Sequence, residues 1–572
     1  MKRLFSLLFI LTSLSIIIYP QNKAELIDNF IGKYYEYGLF NGTALVAEDG
    51  EAILSKGYGY ANVEWDVPNT PDTKFRIGSI SKHFTAVIIL QLVEEGKIKL
   101  DGKITDYLPD YRKDTGDKIT IHHLLTHTSG IPSYTNIPNV WPDSLRNHYD
   151  KEYFIKHFHS GDLEYEPGTK FSYNNTGYYL LAAIAEEVTG ESFGKLLKER
   201  IFEKVGMNDT GSEDEEIMIK KKATGYLKFG NTYNSDFYMY MPNTMGAGHM
   251  YSTVEDLLKW DQVLYTEKIL SKESKEKMFT PFLNNYGYGW AITYYNLSDE
   301  DSVKAILHTG GINGFNTIFV RFVDNNQTII LFNNTGMVPL SSMAREIAKI
   351  LNGFEFTYPK MPAANILIAK IEEEGVDEAV SYIKKLYEEE KDNYQFSESQ
   401  INSAGYGYLR NDKIDIALEV FKLNIDLFPE SFNTYDSYAE ALREKGEKEK
   451  SIEYYKKSLE LNPGNTNGIE MLKKLGVEYI KEDLMLDSSL LKKYEGEYQL
   501  FPNFTITIRA DGSKLFARAT GQSEYEIHPK NETMFYYTVV PAQIEFITNE
   551  NGEVDKLILF QNNQQLPGER IN

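Results

Sequence analysis

The chain contains no cysteine. Disulfides, thiolate catalysis, zinc ribbons and iron–sulfur sites are therefore excluded, as is a lipid anchor attached through that residue. Positive charge is also scarce: 60 Lys and Arg stand against 83 Asp and Glu in 572 residues, a net charge of −23. A chain this acidic is repelled by phosphate backbones, which argues against nucleic-acid partners. Long apolar runs are confined to the N-terminus, where Lys2 and Arg3 precede fifteen residues, Leu4–Ile18, broken by Ser6, Thr12, Ser13 and Ser15. That is the pattern of a secretory signal and is short for a spanning helix, so residues 1–21 are expected to direct export to the periplasm or beyond. Around Tyr19-Pro20-Gln21 there is no small-x-small site, which leaves the cut unplaced. No later stretch reaches spanning length, so no membrane span is expected in the mature chain.

Hydrophobic residues make up 42 % and charged residues 25 %, the balance of a folded chain rather than a disordered one. At roughly 100–200 residues per domain, the length suggests about three or four units. Residues 23–355 read as one α+β unit. "GTALVAEDGEAILSKGYGYAN" (Gly42–Asn62) is two alternating runs joined at Asp49-Gly50, a hairpin signal. "SISKHFTAVIILQLVEEGKIKL" is an apolar helical run ended by Gly96. Near the end, "YGYGWAITYY", "AILHTGGINGFNTIFVRF" and "QTIILFNNT" read as consecutive strands. Strands at both ends with helices between them predict an antiparallel sheet completed by the two ends and flanked by helices.

Residues 361–480 turn to Ala-, Glu-, Lys- and Tyr-rich helix. Pro429 and Pro463 lie 34 residues apart, as do Ala417 and Ser451, and Phe421 and Tyr455. "DIALEVFKLNIDLFPES" and "EKSIEYYKKSLELNPGN" thus resemble tetratricopeptide repeats at their usual length. The small residues let paired helices approach, the aromatics fill the gap, and "VDEAVSYIKKLYEEE" reads as a third, degenerate pair. Such repeats present a groove suited to a protein partner; bracing of the neighbouring modules is the other reading. Residues 485–572 are short alternating strands separated by Asp-Gly and Asn-Gly turns, an all-β module built as a sandwich or small barrel.

Chemistry concentrates in three places. Ser79-Ile80-Ser81-Lys82 opens the apolar helix, and Ser79 in its first turn has Lys82 at i+3 on the same face. A hydroxyl needs a nearby base, which a lysine supplies if desolvation keeps it neutral, while the helix N-terminus aims N–H groups at any anion formed there. The spacing alone is weak, since Ser192/Lys195, Ser274/Lys277, Ser381/Lys384 and Ser489/Lys492 share it. Two further motifs give it company: Tyr173-Asn174-Asn175 before another apolar helix, and His308-Thr309-Gly310-Gly311 on an expected strand. The look-alikes Tyr134-Thr135-Asn136, Tyr294-Tyr295-Asn296 and His159-Ser160-Gly161 lack those contexts.

With these motifs, and with "LLTHTSGIPSY", "EPGTKFSYNNTGY", "GAGHMYSTVEDLLKW" and "YGYGWAI" between them, the chain over about residues 29–352 resembles the penicillin-recognising serine hydrolases. That family (peptidase S12-like) includes class C β-lactamases, DD-peptidases, D-aminopeptidases and related esterases. The resemblance implies a β-lactamase-like fold and an exported serine hydrolase, without cofactor or metal, acting on a small peptide, β-lactam or ester. A β-lactamase, or a catalytically silent penicillin-binding-like sensor or scaffold, is the alternative. It implies Ser79 as the acylated nucleophile, with Lys82 and Tyr173 sharing the base role. The N–H groups of Ser79 and Gly311 would form the oxyanion hole, and Asn175, His308 and Thr309 would bind substrate. His308 stands where many β-lactamases have lysine, and imidazole is a weaker carboxylate anchor that titrates near neutrality. Asn174 replaces a common Ser. His122, His123 and His127 cluster in sequence, but His127-Thr128-Ser129-Gly130 reads as a family loop rather than a metal site, and His249 is expected near the cleft rim.

Overall fold

The computed structural model of the protein describes residues 22–571 except 138–139, 141–142, 214–217, 230–231, 337, 480–483, 485, 502–503, 541, 550 and 562–563. The expected export signal, residues 1–21, lies outside the described residues. The chain divides into two compact units, one of residues up to 228 with 232–359, the other of 360–572 with 229–231.

The first unit is organised by one antiparallel sheet. Its strands are β1 (Gly42–Glu48), β2 (Glu51–Tyr58), β3 (Ala291–Asn296), β4 (Ser302–Ile312), β5 (Phe315–Phe322) and β6 (Gln327–Asn333), in the order β3-β4-β5-β6-β1-β2. The hairpin at Asp49-Gly50 joins β1 to β2, and β1 closes against β6 in the register Gly42↔Asn333 to Glu48↔Gln327. The first and last segments of the unit therefore meet in the middle of the sheet. The central strands are buried on both faces, which is why their text is continuously apolar rather than alternating. On one face Ala44, Val46, Ile318, Val320, Ile329 and Leu331 pack with helices α1 (Lys23–Glu36) and, near its end, Leu340–Leu351. Leu45, Ala47, Phe319, Ile330 and Phe332 face the other way, into a larger core. That core holds α2 (Ser81–Glu94), buried almost all round, and α3 (Asn175–Thr189). A helix apolar on every face belongs inside a domain.

In the second unit, helices Ala363–Glu374 and Val376–Glu389 pack as a pair, as do Glu398–Arg410 with Ile414–Leu427 and Phe432–Glu444 with Lys448–Leu461. Ala417, Phe421, Ser451 and Tyr455 are fully buried between them. A Cβ on Gly405 would meet the Phe421 ring at 2.5 Å, so the small and aromatic positions interlock. The C-terminal strands, from Gly496–Phe501 to Gln564–Arg570, close into an eight-stranded barrel around Tyr498, Ile506, Leu515, Ile544, Phe546 and Leu557. Of the two all-β forms expected, the barrel is the one adopted, and closure leaves no exposed sheet edge. Among the described residues no helix is long and apolar enough to cross a membrane.

Candidate active site

Ser79 stands in a single 3₁₀ turn, Gly78–Ile80, that runs straight into α2. The turn is pinned from two directions. Phe75–Arg76 pairs with Tyr251 and Ser252, and Ile77 N–H donates to Met250 O at 3.0 Å. From β5, Thr317 Oγ1 donates to Ile77 O at 3.1 Å. Gly310 permits that approach, because a Cβ there would lie 2.0 Å from the Ile77 carbonyl oxygen. Gly78 has φ +50°, and a Cβ on it would lie 2.8 Å from Gly311 N. The serine thus sits one turn ahead of the helix proper, with β4 against its backbone.

Lys82 lies one turn further and is buried. Its Nζ is 3.1 Å from Ser79 Oγ, 2.8 Å from Asn175 Oδ1 and 2.8 Å from Ala247 O. The last two oxygens can only accept. A neutral amine has two N–H bonds for them and one lone pair left for the serine O–H. Burial pushes Lys82 well below the usual lysine range, with no neighbouring anion to oppose it, so the free amine is the favoured form. Tyr173 stands beside this pair, its ring centroid 4.9 Å from Lys82 Nζ, and its phenol feels the Ser79 hydroxyl. Although Tyr173 shows 37 % of its surface, enclosure of the hydroxyl end drives its pKa upward, and the neighbouring Ser79 hydroxyl opposes this only in part. The phenol is therefore a proton donor at rest.

Asn175 begins α3. Asn174 caps the helix, accepting from Gly177 N at 3.0 Å, and Asn175 Nδ2 donates to Thr135 Oγ1 at 3.2 Å. Ser79, Asn175 and Gly311 share the wall of a cavity of about 250 Å³ with Tyr134, Thr135 and Gly248. A Cβ on Gly311 would meet nothing within 4 Å, so this glycine faces open space. Tyr134 and Thr135 belong to a Tyr-x-Asn triplet that sequence reasoning set aside; the turn-rich "SGIPS" just before them was the available signal. A wider depression of about 740 Å³, lined by Asp28, Lys56, Tyr58 and Tyr358, contains none of these groups.

Two expected substrate-binding residues are placed differently. His308 is buried, with Nδ1 2.6 Å from Thr309 O and Nε2 2.9 Å from Tyr286 OH. The carbonyl can only accept, so Nδ1 carries the proton and Nε2 accepts from the phenol. Burial lowers its pKa to about 3, so it offers no cation near neutrality and does not titrate there. Thr309, exposed on the face of β4 that Gly311 shares, is not among the cavity-lining residues. The clustered histidines diverge: His122 Nδ1 meets Tyr288 OH at 2.8 Å, His123 Nδ1 accepts from Thr120 N at 3.2 Å, and His127 Nδ1 from Asn174 N at 3.0 Å. Among the described residues no group of three or more His, Asp or Glu could hold a metal ion. His249 is buried behind the rim, accepting from Gly246 N at 3.2 Å.

Known proteins resemble this chain in sequence and in fold. Residues 25–352 match the Beta-lactamase family model, and residues 484–570 match a domain of unknown function (DUF3471). Penicillin-binding protein 4* of Bacillus subtilis (strain 168) is 31 % identical over 364 residues, covering 60 % of this chain and 79 % of that protein. Teichoic acid D-alanine hydrolase of Staphylococcus aureus is 31 % identical over 260 residues, 45 % of this chain and 59 % of that one. The octameric penicillin-binding protein homologue from Pyrococcus abyssi superposes with a TM-score of 0.51 at 23 % identity, over 95 % of this chain and 99 % of that one. That likeness is one of fold, and it extends beyond the first unit.

Proposed function

The chain belongs to the Beta-lactamase family and is a serine hydrolase, and we propose that Ser79 is its acylated nucleophile, acting on amides or esters. One observation carries this reading: a buried lysine amine lies 3.1 Å from the oxygen of a serine at the wall of a cavity, with a tyrosine ring packed beside that amine. In acylation, the Lys82 lone pair takes the Ser79 proton as Oγ bonds to the substrate carbonyl carbon. The N–H groups of Ser79 and Gly311 receive the oxyanion, helped by the helix N-terminus behind Ser79. As the tetrahedral intermediate collapses, the Tyr173 phenol protonates the departing amine or alcohol, and Lys82 returns its proton to the phenolate. Water then enters and the same pair runs in reverse. Asn175 keeps the amine aimed by accepting one of its N–H bonds.

The substrates are amides or esters of the DD-peptidase, D-aminopeptidase or esterase type. Support comes from the likeness to a D-alanine hydrolase and from a cavity wall without lysine or arginine among the described residues. The open edge of β4 favours an extended substrate: its ladder with β3 stops at Ala291↔Leu307, whereas that with β5 runs on to Ile312↔Phe315. The substrate-contacting role expected of His308 passes to the β4 backbone and Asn175. Export through residues 1–21, and tetratricopeptide-like docking of a protein by the paired helices of residues 361–480, belong to the same reading. The test is chemical. A fluorescent penicillin or fluorophosphonate should leave an adduct on Ser79 by mass spectrometry, abolished in Ser79→Ala, and a p-nitrophenyl ester should turn over. An intact chain that neither labels nor hydrolyses is a scaffold.

A further inference from the structure

His127 follows the short helix Ile121–Leu125 and is not among the residues lining the cavity. It is nonetheless tied to Tyr173 on three sides. Its carbonyl accepts from Ser172 N at 2.9 Å, and its Nδ1 accepts from Asn174 N at 3.0 Å. Its ring centroid lies 4.4 Å from that of Tyr173, 4.7 Å from Tyr286 and 5.1 Å from Tyr178. The backbone amides on both sides of Tyr173 are thus held by one residue, and the phenol's ring rests against it. His127 is fully buried. Its backbone stands at φ +57°, a left-handed conformation that costs energy in any residue with a Cβ. A strained, buried histidine bonded to the frame of the tyrosine at the reacting serine is poorly explained by packing alone.

We propose that His127 is a positioning residue, which fixes Tyr173 and the following Asn174-Asn175 step against Ser79 through the bond from Asn174 N–H to its Nδ1. The proposal rests on the hydrolase reading above. The bond requires the neutral tautomer, with the proton on Nε2, because an amide N–H cannot donate to a protonated nitrogen. Burial pushes the imidazole well below its ordinary range, which favours this neutral form and keeps the acceptor available. Asn174 passes the constraint on: its Oδ1 caps α3 and its Nδ2 donates to Ile131 O.

The backbone strain suggests the experiment. Glycine and asparagine both tolerate φ +57°, but only asparagine places an acceptor atom where Nδ1 now stands. His127→Gly and His127→Asn are compared in the full chain, with a melting curve for each, by ester turnover and by the rate of Ser79 labelling. His127→Gly should lose about 10²-fold in kcat, the cost of a group displaced by about 1 Å, with KM within a few-fold. H127N should recover most of that loss. In a Tyr173→Phe background the glycine change should cost little further. Equal activities in the two variants, or an undiminished loss in the Tyr173→Phe background, would overturn the proposal. Should the glycine chain not fold, His127→Ala takes its place against the same reference. A wild-type chain that neither labels nor turns over an ester brings down the hydrolase reading itself; one that does both while H127G matches it removes only the role of His127.

Discussion

At Ser79 the decisive quantity is where the proton rests. Lys82 is enclosed with only neutral oxygens around it, and Tyr173 has its phenol pushed upward. Both therefore favour their uncharged forms, and the amine is the stronger base of the two. The catalytic form of Lys82 is present above its lowered pKa and is lost as the pH falls through it. The acid limb of kcat/KM should accordingly follow one ionisation, that of Lys82. His308, at about 3, stays neutral across that range, so His308→Gln should leave the midpoint in place even where it lowers the rate. A midpoint that moves with the histidine would assign the limb to the wrong group. Linkage gives a second check. Between the lowered folded pKa and the ordinary one of about 10.4, the unfolded chain holds one more proton, so stability rises with pH. Lys82→Met should abolish labelling and flatten that slope in urea unfolding measured at several pH values.

Between elements, the site depends on how closely a turn approaches a strand. Gly78 is the contact, and Gly78→Ala would both strain φ +50° and press a methyl to 2.8 Å from Gly311 N. If that N–H is an oxyanion donor, kcat should fall by about 10²–10³ with KM little changed. A loss under threefold in steady-state kinetics would remove Gly311 from the oxyanion hole. Such contacts mark the boundary of what the sequence discloses. The Asp49-Gly50 hairpin, the strands ending in Phe322 and Asn333 and the buried helix after Ser79 were all legible, because periodicity and turn residues are local. So was the grouping of Ser79, Lys82, Tyr173 and Asn175 as candidates, through spacing and resemblance. The burial of His308 was not legible, because it depends on Tyr286 arriving from a distant turn to donate to it inside. Nor was the work of His127, whose partner Asn174 is 47 residues away and whose reading as loop text was sound as far as it went. Tyr134 and Thr135 escaped for the same reason: a loop reaches a cavity by folding, and no period announces it. Barrel closure was likewise undecidable from strand text, since it rests on the pairing of the first strand with the last, Tyr498↔Arg570.

Across the whole molecule the relevant property is charge. The chain carries −23, and among the described residues the wall of the cavity beside Ser79 has no lysine or arginine. Arg76, close to Ser79 in sequence, gives its guanidinium to Glu213 through bonds of 2.8 and 2.7 Å, and Lys222 donates to the same carboxylate at 2.7 Å. Lys82 is held neutral. A substrate carboxylate therefore finds no fixed counter-charge and approaches against a repulsive field. A charged hydrogen bond is worth about 1.5–3 kcal/mol, so its absence corresponds to about 10- to 100-fold in kcat/KM. A neutral D-aminoacyl ester or amide should be preferred over an otherwise matched substrate ending in a free carboxylate by a factor of that order. The field also predicts a salt signature: raising ionic strength shortens the Debye length from about 30 Å at 0.01 M to about 8 Å at 0.15 M. The carboxylate substrate should gain from this while the neutral one stays level, in steady-state assays run side by side. A preference for the carboxylate that salt weakens would mean that a cation does reach the bound substrate.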